Sequence, residues 1–264
     1  MKITALVENV STSDLKAKHG LSLYVETKKH NLLFDLGPDQ TLFKNAKKRN
    51  IDLKKVDSVI ISHGHVDHGG AMKNFLEINK IATVYVQRQA FEQHYIKVLG
   101  IKIPVGIDKR LSLHPQVKLI DGDFRIDEEL SLFTVENKNQ FYSTANESLY
   151  DSNGRDNFNH EQNLLISENE KVIFTGCGHS GIVNIIEKAN NYNPNYCIGG
   201  FHLFNPVTKI TVNSKLLNDL ALRLKNYKNI RFYTCHCTGK KAFKYMSKQM
   251  NNLDYLSCGQ NLVI

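Results

Sequence analysis

Hydrophobic positions along the chain form short blocks with two different spacings. Leu21, Leu23 and Val25 recur at every second residue, and Leu32-Leu33-Phe34 follows a Lys-Lys-His turn, which predicts a hairpin over residues 21–35. Gly37-Pro38 breaks that pattern, and Leu42, Phe43 and Ala46 then share one helix face to about Asn50. Residues 56–62 and 82–86 predict buried strands, with a short helix over 71–78 between them. Residues 3–7 read as a first strand, and 117–123 and 130–135 as two more. The second half repeats the rhythm. Residues 163–167 and 171–175 flank Glu168-Asn169-Glu170 as a hairpin, followed by a helix over 182–190 and a strand over 196–200. Leu216, Leu217, Leu220, Ala221 and Leu224 form a helical stripe. A strand over 230–234 and a helix carrying Ala242, Phe243 and Met246 come last. Each half runs hairpin, then strand–loop–helix. The expected fold is mixed α/β, with two sheets face to face and helices outside. Between Glu136 and Asn159 the chain is polar and unpatterned, as in a disordered segment or a functional lid.

Composition narrows the class. With 41% hydrophobic and 23% charged residues over 264 positions, the chain has the make-up of a globular domain. No apolar run approaches the roughly 20 residues that cross a bilayer, and the start meets Glu8 too early for a signal peptide. A cytoplasmic location without a membrane partner is expected. One domain over 1–264 is expected, with a variable lid or insert region at about 87–158. The formal charge of +8 favours anionic partners, but the basic residues are dispersed, so a small anionic substrate is expected rather than nucleic acid. The five cysteines all lie in the last third and are expected to be reduced thiols.

The strongest chemical signal is His63-x-His65-x-Asp67-His68, directly after an apolar strand and flanked by Gly64, Gly69 and Gly70. Imidazoles with a carboxylate suit zinc or iron. Alternate residues of an extended stretch point the same way, so His63 and His65 can share one ion. Asp67 and His68, past a turn, can face a neighbouring one. Further on, Thr238 is placed to cap the helix that follows. With His236, Gly239 and Lys240 it makes a candidate clamp for a substrate phosphate or carboxylate.

Ser62-His63-Gly64-His65-Val66-Asp67-His68-Gly69-Gly70 resembles the metal motif of the metallo-β-lactamase superfamily. Phe34-Asp35-Leu36-Gly37 resembles that superfamily's first motif, in which the Asp orients the metal loop. Gly176-Cys177-Gly178-His179, Gly199-Gly200-Phe201-His202-Leu203 and Cys235-His236-Cys237-Thr238-Gly239 together resemble one branch, the dihydropterin–ribofuranosylaminobenzene-phosphate synthase-like proteins.

The resemblance implies a four-layer αββα sandwich with two divalent metals, zinc foremost and manganese or iron as alternatives. It implies that His63 and His65 hold the first metal, and Asp67 and His68 the second. It places the first metal's third ligand before the 164–175 hairpin, where His160 or Glu161 stands. Cys177 occupies the position of the usual bridging Asp, and His202 that of the last ligand of the second metal. His179 is either a metal contact or a substrate-side imidazole, and Asp35 supports the loop from behind.

The implied activity is that of a hydrolase using metal-bound hydroxide on an anionic small-molecule ester, a phosphoester foremost. Asp67, His179 and His236 are the expected catalytic groups. The alternative is a transferase releasing pyrophosphate. An iron redox enzyme and a nucleic-acid binder rank below both.

Overall fold

In the strand Ser58–Ile61, Val59 and Ile61 point to one side and Ile60 to the other, and all three are fully buried. In Lys171–Thr175, Ile173 faces away from Val172 and Phe174 in the same manner. A strand that is apolar on both faces must be covered on both, and this chain meets that demand with four layers. The computed structural model covers all 264 residues.

One seven-stranded sheet runs, from edge to edge, 261–263, 2–7, 22–26, 31–34, 58–61, 83–87 and 117–120. The other runs 253–255, 231–234, 196–199, 171–175, 163–167, 130–133 and 124–125. The first four strands of the one pair antiparallel, and its last strands pair parallel from 31–34 onward. The other has the same composition, with parallel pairs from 253–255 to 171–175 and antiparallel pairs beyond. Phe34 and Phe174 meet between the sheets with ring centroids 5.7 Å apart. The helices Thr41–Lys48 and Met72–Ile78 cover one outer face. Ile182–Ala189, Ser214–Leu224 and Lys240–Met246 cover the other. No helix is long and apolar enough to cross a membrane.

The interval 87–158 contributes more than an insert. Its strands 117–120, 124–125 and 130–133 complete the two large sheets. Its remaining residues form a small three-stranded sheet (149–150, 95–98, 101–104) and a turn at Thr144–Ser148. The polar stretch 136–159 is ordered into the molecule. Ser143, Asn146, Asp151, Asp156 and Phe158 are all buried.

Candidate metal centre

The parallel strands of both sheets end at one edge, and each delivers its next residues into a common crevice, where α/β proteins place ligands. Asp35 follows 31–34, and the His63–His68 run follows 58–61. Cys177 and His179 follow 171–175, His202 follows 196–199, and His236 and Cys237 follow 231–234. Asp35, His202 and His236 have φ of 61°, 47° and 50°, left-handed values unusual for such residues and typical of positions held for function. Two glycines make the crossings possible. An added Cβ on Gly199 would lie 1.8 Å from the Thr175 carbonyl oxygen, and one on Gly176 would lie 2.0 Å from Ser62 Oγ.

Hydrogen bonds fix which nitrogen of each ring faces the crevice. Asp35 is fully buried; its Oδ1 accepts the Ser62 N–H at 2.7 Å, and its Oδ2 accepts Ser62 Oγ–H at 2.7 Å and His68 Nδ1–H at 2.6 Å. With its hydrogen given to Asp35, Ser62 Oγ accepts from His63 Nδ1 at 2.9 Å. His179 Nδ1 donates to Asn146 Oδ1 at 2.8 Å, and His236 Nδ1 to Asn9 Oδ1 at 2.9 Å. In all four rings Nε2 is therefore the nitrogen left facing inward, the arrangement in which outer groups prepare imidazoles for a metal.

The inward atoms gather in two sets. The Nε2 atoms of His63, His65 and His179 are buried without any hydrogen-bond partner, and these three side chains converge closely enough to share an ion. Next to them, His68 Nε2 lies 3.2 Å from His236 Nε2 and 3.3 Å from Cys177 Sγ. Asp67 Oδ2 lies 3.3 Å from His236 Nε2. Cys177 joins the sets, since it also groups with His63 and His68, with His179 and His202, and with His236 and Cys237. Buried unpaired imidazoles are costly unless something fills the gap, and this donor set of nitrogen, carboxylate and thiol fits a borderline cation such as zinc or iron.

Charge states agree with that use. Burial, helped by mutual crowding, drives His63, His65 and His179 well below the usual imidazole range, so their lone pairs are free at neutral pH. Burial opposes a charge on His68, but the Asp35 and Asp67 carboxylates override it and push the ring up to about 9, so this ring would release its Nε2 hydrogen on taking an ion. Burial also opposes the Asp67 anion, yet His68, His19 and His236 hold that carboxyl well below its ordinary value. Burial pushes the Cys177 thiol up, while Cys177, His202 and His236 pull the equally buried Cys237 down.

Several sequence-predicted residues sit differently from expectation. His160 has no lone pair to offer a metal: its Nδ1 accepts the Gly64 N–H at 3.0 Å, so Nε2 carries the hydrogen given to Asp156 at 3.1 Å. Glu161 accepts the backbone N–H groups of His179 and Ser180 and holds the Cys177–Ser180 loop from behind. His236, expected to donate to substrate, instead lies inside the second set of donors. His202, by contrast, stands where a ligand could: both ring nitrogens are unpartnered, its ring centroid is 4.1 Å from that of His179, and it groups with Cys177 and His179 closely enough to share an ion. Thr238 does not cap the last helix. Its hydroxyl accepts the Phe201 N–H and bonds Thr234, and the cap position is Gly239 without a side-chain bond. Lys240 lines a separate cavity of about 260 Å³ on the far side of His236, with Asn9 and Tyr255.

Sequence reasoning also passed over three residues. His19 meets Asp67 Oδ2 at 3.2 Å and packs on His236. Asn146 orients His179 and lies in a stretch without pattern. His94 gives Nδ1–H to Asp156 at 3.0 Å and Nε2–H to the Gln89 carbonyl at 3.2 Å, and stacks on His160. Nothing in the local sequence marks these three. The only sequence clue to Asp156 and His94 is that a buried His160 needs partners.

A cavity of about 290 Å³ opens beside the donors and is lined by His65, Asp67, Cys177, His179, His202 and His236 together with apolar residues from three loops.

Residues 16–138 match the family model of the metallo-beta-lactamase superfamily. An uncharacterized protein of Methanocaldococcus jannaschii is 28% identical over 263 residues, which cover 98% of each chain. The 7,8-dihydropterin-6-methyl-4-(beta-D-ribofuranosyl)-aminobenzene-5'-phosphate synthase of the same organism is 29% identical over 292 residues, covering 98% of this chain and 95% of its own. The crystal structure of Tm1679, a metal-dependent hydrolase of the beta-lactamase superfamily, superposes with a TM-score of 0.82 at 26% identity, covering 100% of this chain and 99% of that one. The αββα layers, the His63–His68 run at a strand end and these matches agree in likening the chain to the metallo-beta-lactamase superfamily.

Proposed function

We propose that this protein is a metal-dependent hydrolase acting on a small-molecule phosphoester, with two divalent ions in the crevice. The observation that carries the reading is the set of buried, partnerless ring nitrogens of His63, His65, His179 and His202. His63, His65 and His179 would hold the first ion, and Asp67, His68 and His236 the second, with Cys177 between them. Bound there, the ions would supply Lewis acidity and ionise a water at neutral pH. The chain's own part is orientation and exclusion. Asp35, Ser62, Asn146 and Asn9 lock the rings in one tautomer. Phe158 stacks flat on His179 at 4.4 Å and seals its outer side from water. His202, with neither nitrogen engaged and beside Cys177 and His179 on the cavity wall, would complete the ion shell or contact the ester.

A second reading rests on the synthase of M. jannaschii, whose name describes a joining reaction. Under it the same centre would stabilise a diphosphate leaving group.

Metal analysis of protein purified without chelator tests the first claim. Two ions per chain are expected, with clear losses in His63→Ala and His179→Ala; unchanged metal content in both variants would refute the assignment. A screen of phosphomonoesters, phosphodiesters and alkyl diphosphates, scored for the freed alcohol and for phosphate against pyrophosphate release, separates the two reactions. Turnover should vanish with chelator and return with zinc or manganese.

A further inference from the structure

We infer that the part of the substrate beyond the scissile ester is a compact, uncharged apolar group of one or two rings, seated on the wall of the main cavity. The inference rests on the hydrolase reading above and specifies its substrate class.

Opposite the metal residues, the cavity is lined by Val66, Ile96, Val105, Ala145, Leu149 and Val207. Ile96 and Leu149 are direct cross-strand partners, which places their side chains side by side on one face. With the buried Phe158 and the adjoining Val98 and Val105 they form a small apolar cluster of their own, apart from the sandwich cores.

No lysine or arginine lines the cavity. Apart from the donor set and His19, its polar side chains are Ser148 and Asn205, and both are engaged. Asn205 Nδ2 donates to Ser148 Oγ at 2.8 Å, and Asn205 Oδ1 accepts the Val207 and Thr208 N–H groups. A second phosphate or a carboxylate on this wall would meet no cation and no free donor, and would lose its hydration without return. An apolar group gains by the same displacement of water.

Size narrows the group further. A cavity of about 150 Å³ holds a benzene ring. The 290 Å³ here must also take the reacting ester, which leaves room for one or two rings. The wall comes from the segments 95–105, 145–149 and 206–207, outside the strand-end loops that carry the donors. Only Val66 lies within the metal motif. Specificity and chemistry therefore occupy different parts of the chain.

The test is calorimetric titration of metal-loaded protein with methylphosphonate, phenylphosphonate and 1-naphthylmethylphosphonate, and of metal-stripped protein with 1-naphthol. Affinity should rise by about tenfold from the methyl to the ring-bearing compounds, and 1-naphthol should bind without metal. Val207→Asp, at a half-exposed position that tolerates a charge, should weaken the ring-bearing ligands about tenfold more than methylphosphonate, whose only loss is the repulsion between the two anions. Leu149→Ala should act in the same direction. Equal affinity for all three phosphonates, failure of 1-naphthol to bind, or equal weakening of all ligands by Val207→Asp would overturn the inference. The ester screen decides the hydrolase reading independently, since binding requires no turnover.

Discussion

Replacing Asp156 by asparagine removes one negative charge from a buried cluster about the Gly64 amide. In the native protein Asp156 Oδ2 accepts from His94 Nδ1 at 3.0 Å and His160 Nε2 at 3.1 Å, while Oδ1 accepts the Phe158 N–H at 2.7 Å. Both nitrogens of His94 face acceptors, Asp156 Oδ2 and the Gln89 carbonyl. Both side chains are almost completely buried. Leaving a buried donor without its acceptor costs about 1–3 kcal/mol, and more where the lost partner was a charged carboxylate. Asparagine keeps one acceptor oxygen but turns an amide N–H toward an imidazole N–H. We therefore expect a loss of about 2–3 kcal/mol in urea unfolding. The same change loosens His160, which holds the Gly64 N–H between His63 and His65. Outer-shell losses of this type lower metal affinity by about 10–100-fold, readable by competition with a coloured chelator. His94→Gln in the Asp156→Asn background should then cost little more, because the imidazole has already lost its carboxylate acceptor. A loss below about 1 kcal/mol with unchanged metal affinity would refute the reasoning.

Gly176→Ala should destabilise by about 1–3 kcal/mol and weaken metal binding, because its Cβ would force Ser62 off Asp35; differential scanning calorimetry with metal titration checks both. Asn146→Ala frees His179 to adopt the other tautomer, so metal affinity should fall by about 10–100-fold with little change in secondary structure by circular dichroism. His30 bridges Asp57 and Asp127 at 2.9 and 2.7 Å. Burial opposes its charge, but the two carboxylates raise its pKa above the ordinary value. Its contribution is therefore complete below the unfolded-state value near 6.5 and is lost as pH rises through the higher folded value. His30→Gln should lower stability at pH 6 by about 1 kcal/mol and flatten the decline above pH 7, as measured by urea unfolding across pH. A decline with the same slope in the variant would assign it to other groups.

Local pattern determined much of this protein. Hydrophobic blocks and helical stripes mark the central strands of both sheets and the helices over them, because those strands bury both faces and each helix buries one; the edge strands 261–263, 253–255 and 124–125 carry no such mark. The run His63–His68 declares itself because its donors are neighbours in the chain and follow a strand. The glycines at 176 and 199 are visible as residues, although the close approaches that require them are not.

Tertiary structure alone decided the rest. Whether an imidazole can hold an ion depends on which nitrogen keeps its hydrogen, and partners far away in sequence set that. Asn9 does so for His236 and Asn146 for His179. His160 shows the same rule from the other side: Gly64 and Asp156 engage both its nitrogens and remove it from the crevice. The polar run 136–159 has no period because each residue answers to a different neighbour across the fold rather than to a repeating backbone geometry. Composition and spacing determine which side chains are available near an edge. Only the folded arrangement of hydrogen-bond donors and acceptors decides where their lone pairs point.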